Sequence, residues 1–327
     1  RPLNRREQPG AQRAGLLASG PPDGPREWPR YNPPMLEGRG PLVAVVLAGG
    51  GPGDRLARAV GAPSKALVPY GARPLGEYVL AALRGSGVVD RTVLVGETHG
   101  RFAGLYDVNV PSGARLVDSL ALGLGAALAQ VPAADDVLLV TADVPWLTPE
   151  AVKRFVVAAR AMEGADGGRA QLVYPVVERA DAEAQFPGQR RTYAGLEDGH
   201  FTGGNLVLVT RGVVPALLPL IDRVFSNRKN PLALAGIVGP GTLARFLLGR
   251  ARVAQLEARV SALLGAAARA LPTRDACLAA DVDDPRHLAD KHAPPATLAG
   301  RGGPPATPAD WRDPPAAPAG PTLRRDP

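Results

Sequence analysis

The chain is short of the residue types that most often build compact metal and redox sites. Among its 327 residues there is one cysteine, Cys277, so neither an internal disulfide framework nor a cysteine-based zinc site is open to it. Its four histidines, His99, His200, His287 and His292, fall at no metal-ligand spacing. Only four of its 38 basic residues are lysines, which makes each lysine's position informative. No apolar run approaches the roughly 20 residues of a membrane span. The N-terminal stretch is rich in Pro and Arg and lacks the apolar segment of a secretory signal. A soluble, cytoplasmic protein without a membrane partner is therefore expected.

What is present is unevenly distributed. Residues 1–38 hold 8 of the 35 prolines and residues 291–327 hold 10. Residues 1–38 have no periodicity, and residues 293–327 repeat the word PPAT, so both segments read as disordered tails. The first methionine, Met35, is the expected natural start. The tails also carry four of the seven units of net positive charge. The middle of the chain is thus close to neutral, and the high overall isoelectric point gives no ground for a nucleic-acid partner.

Between the tails, residues 39–292 read as one α/β domain. Leu42–Ala48 is a continuous apolar run of the kind that a parallel strand buried on both faces requires; Arg91–Val95 reads as a second strand and Asp136–Thr141 as a third, buried one. Helical spacing covers Leu75–Leu83 and Asp118–Ala129. A further helix opens at Thr148 as N-cap, with Pro149 at its first position. Gln171–Val177 and Asn205–Thr210 read as additional strands. Residues 212–270 read as a helical insertion broken at Gly239-Pro240-Gly241. Alternation of this kind predicts a mainly parallel, mixed sheet flanked by helices on both faces.

The segment after the first strand carries the most chemical information. It reads LAGGGPGDRLARAVGAPSKALV over residues 47–68. Glycines in this place let backbone N–H groups approach a phosphate, at the sheet edge where α/β proteins bind ligands. Two familiar phosphate motifs fail. The Gly-Lys-Ser/Thr step of a P-loop is absent, and a G-x-G-x-x-G would need glycine where Asp54 or Leu56 stands.

The pattern that remains is Leu47-Ala48-Gly49-Gly50-Gly51, then Arg55-Leu56, then Lys65-Ala66-Leu67. It resembles the MobA-like nucleotidyltransferases, whose fold is the Rossmann-like GT-A type. The resemblance implies that the glycine loop and two cations, Lys65 and Arg55, hold the triphosphate of an NTP. Cations placed there would stabilise charge building on departing pyrophosphate. Ten positions separate Arg55 from Lys65, more than is usual in that family, and Arg58 is an alternative to Arg55. The resemblance extends to Asp143, in the D-x-P context after the third buried strand, and to the closing motif Asp281-Val282-Asp283-Asp284-Pro285. It implies magnesium bound by Asp143 and Asp283, with Asp281 as the alternative; Asp284 better suits capping the helix that opens at Pro285.

The same resemblance places Ser119 beside the nucleobase, where a helix cap is an equal reading. It places Gly204 and Asn205 against the acceptor, and the basic clusters containing Arg191 and Lys229 near an acceptor phosphate. The implied reaction transfers NMP from an NTP, with GTP or CTP favoured, to a phosphorylated small molecule. Guanylylation of a molybdenum cofactor is one such reaction. Two rivals are a non-catalytic nucleotide-binding regulator of the same fold and a GT-A glycosyltransferase; the latter lacks its expected D-x-D at Asp143-Val144-Pro145.

Overall fold

The computed structural model describes residues 40–50, 53–227 and 230–289. The two expected tails, Gly51 and Lys229 lie outside the described residues. The chain begins with β1 (Leu42–Leu47), the short helix α1 (Arg55–Val60) and the hairpin strands β2 (Pro69–Tyr70) and β3 (Arg73–Pro74). There follow α2 (Leu75–Gly85), β4 (Arg91–Val95), β5 (Val108–Val110), α3 (Leu116–Gln130), β6 (Asp136–Thr141) and α4 (Pro149–Ala161). The second half contains β7 (Leu172–Glu178), α5 (Arg179–Gln185), β8 (Ala194–Leu196), β9 (Gly199–Gly203) and β10 (Leu206–Thr210). It ends with α6 (Val214–Asn227), α7 (Pro231–Val238), α8 (Pro240–Leu247), α9 (Val253–Leu264) and β11 (Ala268–Thr273).

Among the described residues nine strands form one sheet in the order β5-β4-β1-β6-β10-β7-β9-β8, with β11 parallel to β7. Strands β5, β4, β1 and β6 run parallel, and β10 inserts antiparallel between β6 and β7. The expected mixed, mainly parallel sheet is thus present. Its centre is buried on both sides because β1 alternates. Leu42, Ala44 and Val46 pack with α2 and α4 residues such as Leu80, Leu83 and Phe155. Val43 and Val45 pack with Leu120 and Leu124 of α3 and Leu217 of α6. Each fully buried large side chain of this kind contributes roughly 1.5–3 kcal/mol.

Several local signals act as the sequence predicts. The Thr148 hydroxyl accepts a hydrogen bond from the Ala151 N–H (3.1 Å), with Pro149 in the first turn of α4. The expected helical insertion stops short of its predicted end, however. Gly265, left-handed at φ 62°, terminates α9, and Ala268–Thr273 forms β11 instead of helix. Pairing of these six residues with Leu172–Val177 of β7 outweighs the helical preference of their alanines and leucine.

One glycine decides how closely α3 approaches the sheet. A Cβ on Gly123 would lie 2.5 Å from Val45 Cγ1 and 2.6 Å from Val95 Cγ2. Both valines are buried and stiff at χ1, so the helix would have to lift. Gly123→Ala is expected to destabilise the fold by about 1–3 kcal/mol. A thermal melt at least a few degrees below wild type checks it; an unchanged melt contradicts this packing.

Candidate active site

The parallel strands deliver their C-terminal ends to one rim, and the glycine segment leaves β1 at that rim. Its next strand-like contact is the Ala48 N–H, which donates to the Val95 carbonyl of β4 (2.8 Å). Gly50 has φ 102°, a conformation that needs glycine. The Lys65 N–H then donates to the Gly50 carbonyl (3.3 Å). The glycine turn and Lys65 are therefore direct neighbours despite their separation in sequence. The intervening residues are taken up partly by α1, whose N-cap Asp54 accepts hydrogen bonds from the N–H groups of Leu56 (2.9 Å) and Ala57 (3.0 Å).

A cavity of about 740 Å³ opens between this turn and the N-terminus of α3. Leu47, Ala48, Gly49, Gly50, Lys65, Ser119 and Asp143 line it together. Six expected nucleotide-site residues and one expected metal ligand thus share one concavity. Ser119 is buried, and its hydroxyl accepts a hydrogen bond from the Gly113 N–H (3.0 Å), which shapes the loop entering α3. Asp118 sits in the first turn of α3 and accepts from the Arg115 N–H (3.1 Å).

Arg55 is the expected phosphate ligand that the structure does not bring to the cavity. It stands at the start of α1, its side chain is 72% exposed, and its guanidinium pairs with Asp284 (3.1 Å). The physical reason is the face of α1 on which it sits: Leu56 and Ala57 are buried in the core, and Arg55 and Arg58 are left on the exposed side. Arg58 is likewise exposed and does not line the cavity. Asp284 also caps its own segment, accepting from the Arg286 N–H (2.9 Å), as expected.

Two further acidic residues converge on Asp143, which lines the cavity. Val282 is fully buried, and its N–H donates to the Asp143 carbonyl (2.9 Å). That bond stitches the closing segment onto the end of β6. Asp281 and Asp283 flank Val282, and single ligand atoms from Asp143, Asp281 and Asp283 all lie within 4.8 Å of one another. Lys65 Nζ, on a side chain only 14% exposed, pairs with Asp143 Oδ2 at 2.5 Å and also with Asp283. The Thr141 hydroxyl donates to the other Asp143 oxygen (2.5 Å).

Charge in this cluster is unbalanced, with three carboxylates facing one ammonium. Burial lifts the Asp281 carboxyl to about 7, reinforced by its hydrogen bond to Asp283 and the charge of Asp143. Burial also opposes ionisation of Asp283, but the hydrogen bond from Asp281 and the pairing with Lys65 hold it below the usual carboxylate range. Lys65 is desolvated, yet Asp143 and Asp283 outweigh that and raise its ammonium above the ordinary lysine value. The donor set, all hard carboxylate oxygens with a surplus of negative charge, fits a magnesium ion. Asp281, the alternative ligand in the sequence, joins the cluster alongside Asp283.

The expected acceptor residues Gly204, Asn205 and Arg191 do not line this cavity, but they contact the segments that carry the carboxylate cluster. Asn205 ties two parts of the cluster together: its N–H donates to the Leu278 carbonyl (2.7 Å) and its carbonyl accepts from the Thr141 N–H (3.0 Å). Gly204 has a packing reason to be glycine, since a Cβ there would lie 2.7 Å from Pro175 Cγ. Arg191 donates to the Ala279 carbonyl and to Gln189 Oε1 (2.7 Å), and Gln189 Nε2 reaches the Asp281 carbonyl (3.3 Å). The Arg191 Nε is buried without a hydrogen-bond partner among the described residues. Burial lowers the pKa of this guanidinium, against the attraction of Asp281.

The cavity also takes in Glu97, His99, Ser112, Gly113 and Arg115, none of which the sequence pattern singles out. Glu97 and His99 follow β4 directly, and the rule that ligands bind beyond the carboxyl ends of parallel strands is the available signal. His99 has φ 47°, a strained value for a non-glycine residue.

Residues 44–228 match the family described as MobA-like NTP transferase domain. No curated protein matches the chain. A solved structure of a hypothetical transferase from Thermus thermophilus is 42% identical, with 76% of this chain and 99% of that chain covered and a TM-score of 0.66. A 2-C-methyl-D-erythritol 4-phosphate cytidylyltransferase, also from Thermus thermophilus, is similar at 18% identity over 75% of this chain and 94% of that one. Its TM-score of 0.40 lends no weight to any finer conclusion.

Proposed function

The chain belongs to the MobA-like NTP transferase family and is a nucleotidyltransferase in the general sense, and on that premise we propose that it transfers NMP from an NTP to a phosphorylated small molecule and releases pyrophosphate. The observation that carries this reading is that the glycine turn, Lys65 and Asp143 line one cavity, with Asp281 and Asp283 clustered on Asp143 and Lys65. In the proposed reaction an acceptor phosphate oxygen attacks the α-phosphorus in line. A new P–O bond forms, the bond to the bridging oxygen of pyrophosphate breaks, and the electron pair leaves with pyrophosphate. An acceptor that is already an anion needs no general base.

The N–H groups of the glycine turn lie against the triphosphate, and the α3 N-terminus beside them adds a favourable dipole. Lys65 neutralises charge as it builds on the leaving group. Asp143, Asp281 and Asp283 would hold magnesium, which supplies Lewis-acid polarisation of phosphoryl oxygens when bound. Arg191, whose guanidinium bonds the Ala279 carbonyl and Gln189, would supply positive charge on the acceptor side, with Asn205 and Gly204 nearby in the chain segment before β10. Arg55 has no part in this assignment.

The test is to incubate the protein with magnesium, each of the four NTPs in turn and a pool of phosphorylated metabolites. Acceptor-dependent pyrophosphate, with GTP or CTP most effective, is the expected result. NTP binding without pyrophosphate across a broad pool would replace the transferase with the regulator.

A further inference from the structure

The α7–α8 helix pair carries a surface that nucleotidyl transfer does not use. Helix α7 reads PLALAGIV and is apolar all round, yet Leu232 is 85% exposed. No side chain of α8 is buried, and at its end Leu247 and Leu248 are 70% and 68% exposed. Isolated exposed leucines are ordinary. Here they lie on two short helices packed against each other, in a stretch of sequence whose own charges are all positive, with Arg252 paired to Glu197. From Arg223 to Leu256 the chain has six basic residues and no acidic one. Arg223, Arg245 and Arg250 are exposed, and among the described residues no carboxylate pairs with them.

We infer that this face docks on an anionic membrane surface, with Leu232, Leu247 and Leu248 entering the headgroup–acyl boundary and the arginines on lipid phosphates. Exposed apolar side chains set among cations are what such a surface selects. A second copy of the chain fits less well. A two-fold contact would place this cationic segment against itself. The sequence expectation of no membrane partner rests on the lack of a spanning run, and among the described residues no helix is long and apolar enough to cross a membrane. Lying on a surface has no such length requirement. The inference is independent of the proposed reaction.

The test is co-sedimentation of the full chain with vesicles of equimolar phosphatidylglycerol and phosphatidylcholine, against phosphatidylcholine alone. Binding to the anionic vesicles only, reversed by high salt, is expected. The double variant Leu232→Asp/Leu247→Asp should bind at least about tenfold more weakly with an unchanged thermal melt, since two leucines leave the apolar phase. Absence of wild-type binding overturns the inference. So does undiminished binding of the double variant, which would assign the effect to another basic segment. Self-association in sedimentation velocity that the double variant loses, without vesicle binding, would assign the face to a second copy.

Discussion

Lys65→Ala is expected to lower turnover by about a hundred- to a thousandfold, the loss typical of one preorganised charge partner at a reacting centre. The ammonium is held at the junction of the glycine turn and the carboxylates by its own backbone bond to Gly50 and by Asp143. Arg115 also lines the cavity but pairs with Asp118 and Asp222, and Arg55 pairs with Asp284 at the surface. The effect should fall mainly on kcat, because charge on the leaving pyrophosphate is larger in the transition state than in bound NTP. Removing Lys65 also leaves Asp143 and Asp283 facing each other without their cation. The variant's melting temperature should therefore depend on added magnesium more steeply than that of wild type. Steady-state kinetics and melts with and without magnesium check both parts. Activity within tenfold of wild type would remove Lys65 from the reaction.

Asp143→Asn is expected to cost at least about a hundredfold in turnover, in line with the several kcal/mol that metal-held charge supplies to phosphoryl oxygens. The substitution is nearly isosteric. The backbone bond from Val282 to position 143 does not depend on the side chain, and the Thr141 hydroxyl still has an acceptor in the amide oxygen. A folded, inactive protein is thus the expected outcome, with its residual activity requiring more magnesium. Circular dichroism and a magnesium titration of turnover separate this from unfolding. Wild-type activity at low magnesium would transfer the ligand role to Asp281 and Asp283 alone.

The strongest features of fold and site are legible in the sequence because they are local. The segments Arg91–Val95 and Asp136–Thr141 contain the apolar stretches VLV and VLLV, and both are strands over those residues. The N-cap Thr148 with Pro149 marks the start of α4 for the same reason. Strand β11 is not legible, because its identity comes from pairing with β7 almost a hundred residues earlier. The site divides in the same way. Gly49 and Gly50 are read from the turn after the first strand, and Lys65 and Asp143 from the family resemblance. The place of Arg55 depends on which face of α1 packs on the core, and spacing alone does not give that face. Asp281 and Asp283 share a cluster with Asp143 because Val282 anchors in the core and bonds to the Asp143 carbonyl. The cavity's loop residues, Glu97, His99 and Arg115, belong to no periodic pattern and become neighbours only through the sheet order.

Nucleotidyl transfer at this cavity is tested most sharply by following the phosphates of a doubly labelled NTP in the presence of magnesium and an acceptor that is turned over. The α-phosphate label should appear in the acceptor product while the γ-phosphate label leaves entirely as pyrophosphate. Transfer of the γ label to the acceptor, or its release as inorganic phosphate, would contradict nucleotidyl transfer at this site.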